Sequence, residues 1–401
     1  MAPRKKKLSR MALGSNNSTT RRIASRPLSL PLELVEEEIL CRLPVKTLLR
    51  LRCICKSWKY LISDDPKFAK KHLRMSKILK HHHHLIVNDI GDRFLWDLPL
   101  SSVFSKVSKP TVLNIPISNS RHILEICSCD GILCFTYGEE GVVGVRGTTT
   151  AVLCNPYLRK YSTLPPLKNH REREVQSSLI SFGYDPFNDV YKVVAISCFK
   201  DKNNEVDVYT LGTNYWRSIQ DFPWSSRCMY QPGVFVGGTV NWLAYEVSNT
   251  SCCRFIVSLD LEKESYQKIH QPDLDKDHWT LGMFRDCLCI FATNGMFLDI
   301  WIMKEYGIKE SWTKLYNIPY KREQYIYPKT VYISDPKTVY ISDDDQVLFS
   351  FNDLTNSKFM LVVYNSNNGT VKIPKINHIS DMPDPAIYVE SLISLPRSRS
   401  Y

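Results

Sequence analysis

The residues of this chain best able to do chemistry are its thirteen cysteines and a run of four histidines, His81 to His84. Spacing decides what each could do. Cys53/Cys55, Cys127/Cys129 and Cys287/Cys289 are paired as C-x-C. On a strand that spacing sets both thiols on one face, where packing into a core is the expected use. No C-x2-C pair and no spaced Cys/His set occurs, so nothing supports a tetrahedral zinc site. An odd number of cysteines in a chain of 401 residues is no disulfide framework, and reduced thiols are expected. His81 to His84 stand at the expected entrance of a strand, where successive side chains leave on opposite faces, a poor arrangement for gripping one ion. Gly141, Gly144 and Gly147 fall in an expected hairpin loop rather than between a strand and a helix, the context a phosphate cradle needs. No G-x-S-x-G or similar nucleophile motif is present, and the carboxylates form no pair with defensible convergence. No catalytic, cofactor-binding or metal-ligating residue is therefore expected, and no cofactor.

With catalysis set aside, the elements carry the reading. The composition, 43% hydrophobic and 23% charged, is that of an ordinary globular protein. The net charge of +11 suggests nucleic acid until it is divided along the chain. Residues 1–80 hold 20 of the 52 basic and 6 of the 41 acidic residues, a net +14 that leaves the rest at −3. The body is nearly neutral, which weighs against its tracking a phosphate backbone. Residues 1–27 are expected to be a disordered basic tail; Arg4, Lys5, Lys6 and Lys7 within it could serve nuclear import. No apolar run follows the basic start and no 18-residue apolar stretch occurs, so neither a secretory leader nor a membrane-spanning helix is expected. The expected location is cytoplasmic, nuclear or both.

The segment from Leu30 to Ile62 reads as three short helices. Pro31 suits a first turn, with Ser29 or Leu30 before it as cap, and Glu33 complements the helix dipole. Val35, Ile39 and Leu43 recur at i, i+4 and i+8, with Leu32 and Leu40 alongside. Pro44 ends this helix. A second runs from Val45 to Arg52 and a third from Cys55 to Ile62, which carries Trp58. Helices this short bury little by themselves, and their apolar faces call for a partner groove. Leu30-Pro31-x-x-Leu34, Ile39-Leu40-x-Arg42-Leu43-Pro44-Val45-Lys46, Leu48-Leu49-Arg50 and Cys55-Lys56-x-Trp58 resemble the F-box motif almost position for position. The resemblance implies an F-box domain over 28–73 that docks on the Skp adaptor of cullin ubiquitin ligases. It implies adaptor contacts at Leu30, Pro31, Leu34, Ile39, Leu40, Leu43, Pro44, Leu48, Cys55 and Trp58.

From about Lys80 the pattern changes to short alternating apolar runs broken by turn residues, an all-β signature. A unit of roughly 40–60 residues repeats, the size of a four-stranded propeller blade. Its second half is clearest in AVLCNPYLRKYSTLP from Ala151, VDVYTLGTNYWRSIQDFP from Val206 and FIVSLDLEKESYQKIHQP from Phe255. The expected fold is thus a small all-α head followed by an all-β propeller-like domain over 80–396, with five units visible and six plausible. Two packed sheets are the alternative. Tyr388 to Leu395 is expected to pair with the first blade and close the ring, removing open sheet edges. PKTVYISD at 328–335 is repeated unbroken at 336–343, and one copy is expected to form an exposed extension. Trp216, Trp242, Trp301 and Trp312 are expected in blade cores. Arg227, Tyr230, Trp279 and Arg285 are candidates for a target-binding face formed by loops.

The body is similar to the F-box-associated interaction domain of plant F-box proteins, often called F-box/kelch-repeat. The matching residues include Leu153-Cys154-Asn155-Pro156, Phe182-Gly183-Tyr184-Asp185, Asn241-Trp242-Leu243, Ser311-Trp312-Thr313-Lys314-Leu315 and Tyr388-Val389-Glu390-Ser391-Leu392. The Gly-Gly doublet of kelch repeats occurs only once, at Gly237-Gly238. The two resemblances together imply a non-catalytic substrate receptor of a Skp–cullin–F-box ubiquitin ligase, bound through the adaptor to cullin and holding an unknown protein target for degradation. A pollen self-incompatibility protein recognising ribonucleases is a narrower alternative. A non-ligase propeller scaffold, a copper oxidase built on the propeller and a nuclear nucleic-acid binder are alternatives of other kinds.

Overall fold

The computed structural model describes residues 34–396 except 90–93, 106, 114–120, 140–149, 168–174, 200–203, 224–226, 229–230, 248–251, 275–277, 294–296, 320–336, 343, 354–357 and 377–384. Leu30, Pro31, the basic tail, the three loop glycines, Tyr230 and the first copy of PKTVYISD lie outside the described residues. The chain divides into two units between Leu40 and Cys41.

In the first unit, Val35–Ile39 forms a turn of π-helix. A 3-10 turn, Leu40–Arg42, follows across the unit boundary, so the expected regular first helix is wound two ways. The second unit opens with three α-helices, α1 (Val45–Leu51), α2 (Lys56–Ser63) and α3 (Pro66–Ile78). The sequence reading found α1 and α2 within a residue or so and missed α3. Its signals are present: Pro66 at the first position and Asp65 as cap, whose Oδ1 accepts from the N–H of Lys67 at 2.8 Å and of Phe68 at 3.3 Å.

Then come six antiparallel blades. The first combines His83–Asp89, Phe94–Pro99 and Thr111–Leu113 with the closing strand Ala386–Val389 from the other end of the chain. The second to fifth start at Arg121, Val175, Arg227 and His278, and the sixth at Lys337. Register pairs His84 with Tyr388 and Leu85 with Ile387, so the ring closes as the sequence led one to expect. The strand Lys337–Ile341 comes from the second copy of PKTVYISD and pairs with Gln346–Asp353.

Turn chemistry explains why the blades form. Asn155, Asp185 and Asp260 end strands, and each side-chain Oδ1 accepts from the N–H groups two and three residues on. Four residues past each, Arg159, Asp189 and Glu264 take positive φ of 52°, 55° and 51°. Elsewhere two-residue hairpins have positive φ at both central positions, at Asp130-Gly131, Gly237-Gly238 and Arg285-Asp286, which is the geometry that matches strand twist. Gly131 is obligatory for a second reason: a Cβ there would lie 2.3 Å from Ser391 Cβ and 2.5 Å from Val389 O.

The core is a circle of six contacts between neighbouring blades. Ile86 and Leu133 join the first and second, Leu153 and Phe182 the second and third, Val194 and Trp242 the third and fourth. Ile256 and Ile290 join the fourth and fifth, Ile300 and Phe349 the fifth and sixth, Leu85 and Leu348 the sixth and first. Each of these side chains is essentially dry, and burying one contributes roughly 1.5–3 kcal/mol. Trp242 and Trp312 lie in these interfaces, and Trp216 packs against one. Trp279 is buried as well, 4% exposed, which removes it from the candidates for a binding face. Cys129 and Cys289 are core residues, whereas Cys53 and Cys55 are exposed. The core reading of that first pair fails because it lies in the link between α1 and α2, not on a strand.

Candidate functional site: the helical head and its seat

The helices are too short to be stable alone, so what they bury and what they leave bare define the site. In the first unit Leu34 and Ile39 are 49% and 43% exposed. In the second, Ile54 and Tyr60 are exposed by 63% and 62% on and beside α2. Of the residues assigned adaptor contacts from sequence, Leu34, Ile39 and Cys55 are exposed, Leu43, Pro44 and Trp58 half-buried, and Leu40 and Leu48 buried. Leu48, with no exposed surface, holds α1 down. Ile54 and Tyr60 escaped the sequence reading because they fall outside the quoted motif.

Helix α3 buries Phe68, His72, Leu73 and Ser76 on one face. Its other face is basic and meets carboxylates from the strand-to-strand turns of separate blades. Lys70 lies 2.5 Å from Asp189 of the third blade and Lys77 2.8 Å from Asp130 of the second. Just past the helix, Lys80 lies 3.6 Å from Asp344 of the sixth. The pairs made by Lys70 and Lys80 are half-exposed or more, each worth about 0–1 kcal/mol, and orient more than they stabilise, whereas Asp130 opposite Lys77 is only 10% exposed.

The joint beneath is buried and polar. His84 Nδ1 donates to Asp97 at 2.9 Å, and its Nε2 lies 2.6 Å from Tyr157 Oη and 3.5 Å from Glu390 Oε1. Burial opposes the imidazolium, but hydrogen bonds and charge from Asp97 and Glu390 outweigh it and raise its pKa to about 9. Tyr388 Oη donates to Asp97 at 2.7 Å. Burial would raise Glu390, yet His84 and the Val45 N–H hold it below the usual carboxylate range. His82 and His72 go the other way: burial holds both below the ordinary imidazole value. Ser76 Oγ lies 2.8 Å from His82 Nδ1, and His72 Nε2 lies 2.9 Å from Leu43 O. His81 and His82 lie in a 3-10 turn, Lys80–His82, and His83 and His84 open the first strand; of the four, His82 and His84 are buried in the joint.

A cleft of about 410 Å³ opens beside this joint between α2, α3 and the turns of the second and third blades. It is lined by Ile62, Asp64, Arg74, Tyr184 and Tyr191, a mixed surface without convergent catalytic groups. Among the described residues no group of three or more His, Cys, Asp or Glu could hold a metal ion. No described helix is long and apolar enough to cross a membrane. Arg285, a candidate for the binding face, lies in a hairpin with φ of 50° and covers the Phe284 ring at 4.8 Å.

Comparison with known proteins matches residues 27–70 to the F-box domain and residues 94–395 to the F-box associated beta propeller domain. An F-box/kelch-repeat protein of Arabidopsis thaliana is 29% identical over 395 residues, covering 94% of this chain and 99% of the relative. The F-box protein CPR1 of the same plant is 26% identical over 72% of this chain and 73% of its own. Among solved structures, TolB from Acinetobacter baumannii superposes with a TM-score of 0.47 at 10% identity, over 81% of this chain and 73% of its own.

Proposed function

The chain belongs to the F-box proteins with an associated β-propeller domain, and from that premise we propose that it is the substrate receptor of a Skp–cullin–F-box ubiquitin ligase. One observation carries this reading: a short helical head with bare apolar residues is joined in one chain to a closed propeller. The head docks on a Skp-family adaptor through Leu34, Ile39, Leu43, Pro44, Cys55 and Trp58, with Ile54 and Tyr60 adding apolar surface and Leu48 supporting from below. Leu30, Pro31 and Leu40 complete the proposed set. Burying such residues in a partner groove follows the physics of helix recognition, in which a few apolar anchors carry the affinity.

The propeller holds the target. Its contribution to ubiquitin transfer is positional: it raises the effective concentration of a target lysine near a ubiquitin thioester carried by other subunits. The test is affinity purification with the proteasome blocked, comparing the intact chain with a Leu34→Asp/Ile39→Asp variant. Recovery of Skp adaptor and cullin with the intact chain alone, and of target with both, supports the proposal. Absence of adaptor from the intact chain contradicts it.

A further inference from the structure

Ring closure and the seating of the helices meet at one side chain, Glu390. It directly follows the closing strand, and its N–H donates to His82 O at 2.8 Å, extending that pairing by one residue. Its side chain is buried, 6% exposed. Oε2 accepts from the Val45 N–H at 2.5 Å, across 345 positions of sequence. Val45 opens α1, and Pro44 before it has no side chain that can accept that hydrogen bond. Oε1 faces His84 on the first blade, and Tyr157 of the second blade reaches the same carboxylate.

The segment carrying Glu390 is gripped from the second blade. Ser128 Oγ donates to Ile387 O, and Asn155 Nδ2 donates to Ser391 O at 3.0 Å and Ile393 O at 2.8 Å. Gly131 leaves room for Ser391 and Val389 that any side chain would fill. Thus Glu390 reaches Val45 only when the last strand lies between the first and second blades. Without it, the buried Val45 amide loses its acceptor and His84 keeps only Asp97 of its two carboxylate neighbours, and a buried donor left unmet is costly.

We propose that Glu390 is a positioning residue that makes the seating of α1 conditional on closure of the propeller, so that a chain with an unfinished ring does not hold its adaptor-docking head in place. The adaptor clause rests on the receptor reading above; the structural coupling does not.

Hydrogen exchange on the full chain, without adaptor, tests the coupling. Glu390→Ala should speed exchange at least tenfold across residues 45–52, while the fifth-blade strands Cys287–Thr293 and Phe297–Met303 keep their protection. Glu390→Gln retains an acceptor for Val45 but not the charge opposite His84, and should fall between. It decides the matter if the alanine variant does not fold. Tyr388→Asp leaves the carboxylate intact but charges the closing strand, and should loosen 45–52 as well. Unchanged protection of 45–52 in the Glu390 variants, or equal loss in the fifth blade, overturns the proposal. So does a Tyr388→Asp chain that opens His83–Asp89 while 45–52 stays protected. Failure of the intact chain to bind purified Skp adaptor would sink the receptor reading and leave this exchange result standing.

Discussion

The helical head and the propeller solve the problem of burial in opposite ways. The propeller satisfies itself: six interfaces between blades, each filled by its neighbours, and a last strand that completes the first blade and closes the ring. The head does not. Its three α-helices have 7, 8 and 13 residues, bury one face against their own unit and leave Ile54 and Tyr60 bare. A self-sufficient body joined to an incomplete head suits the proposed receptor, whose body would hold one partner while the head is completed by another. The joint differs from both. It is neither apolar core nor open surface but a buried set of His, Asp, Glu and Tyr whose charges must be matched to exist there at all.

Breaking the propeller should cost most. Phe255→Ala, at the dry interface of the third and fourth blades, is expected to lower unfolding free energy by about 3–5 kcal/mol in denaturant titration. The joint comes next, and pH exposes it. With the folded pKa of His84 raised from 6.5 to about 9, its contribution is complete below pH 6.5 and is lost as pH rises through 9. The size is about 3 kcal/mol by linkage. Asp97, Glu390, Tyr157 and Tyr388 all face this ring, so His84→Asn should flatten the fall in melting temperature between pH 6.5 and 9.

Below pH 6.5 the sign reverses. His72 and His82, held neutral, and Glu390, held ionised, each bind protons less readily folded than unfolded, so their contribution is lost as pH is lowered. The bare face should cost stability least of all apolar sites: Leu34→Asp/Ile39→Asp is expected to change unfolding free energy by less than about 0.5 kcal/mol per residue. A comparably small effect is expected at the seat, where Lys70→Ala removes a half-exposed pair worth about 0–1 kcal/mol and weaker still in high salt.

The propeller was legible because its signal is repeated: an apolar strand, an Asn or Asp at its end and a turn recur often enough to be aligned by eye. Ring closure was legible from Tyr388 to Leu395, an apolar segment left over after the last unit, although the closing strand is Ala386–Val389 and only the start of that segment lies in it. The head was legible in its motif, but α3 was not, because Asp65-Pro66 introduces a helix whose surface is basic and resembles a solvated tail. The joint was illegible. Val45 and Glu390 lie 345 positions apart, and no local pattern marks a hydrogen bond made only after the ring has closed. His84 and His82 look alike in sequence, yet one is held charged and the other neutral, because Asp97 and Glu390 reach the first more closely. Trp279 was misplaced because burial depends on which neighbours the blades bring, and Cys53/Cys55 because the pair lies in a link between helices and not on a strand.

The most direct test of the receptor function is a binding titration of purified Skp adaptor against the intact chain and the Leu34→Asp/Ile39→Asp variant, with the fold of each checked by thermal melting. Saturable binding to the intact chain and at least a tenfold loss in the variant are expected, with melting temperatures that coincide. Equal affinity for the two, or no binding to the intact chain, would contradict the receptor reading.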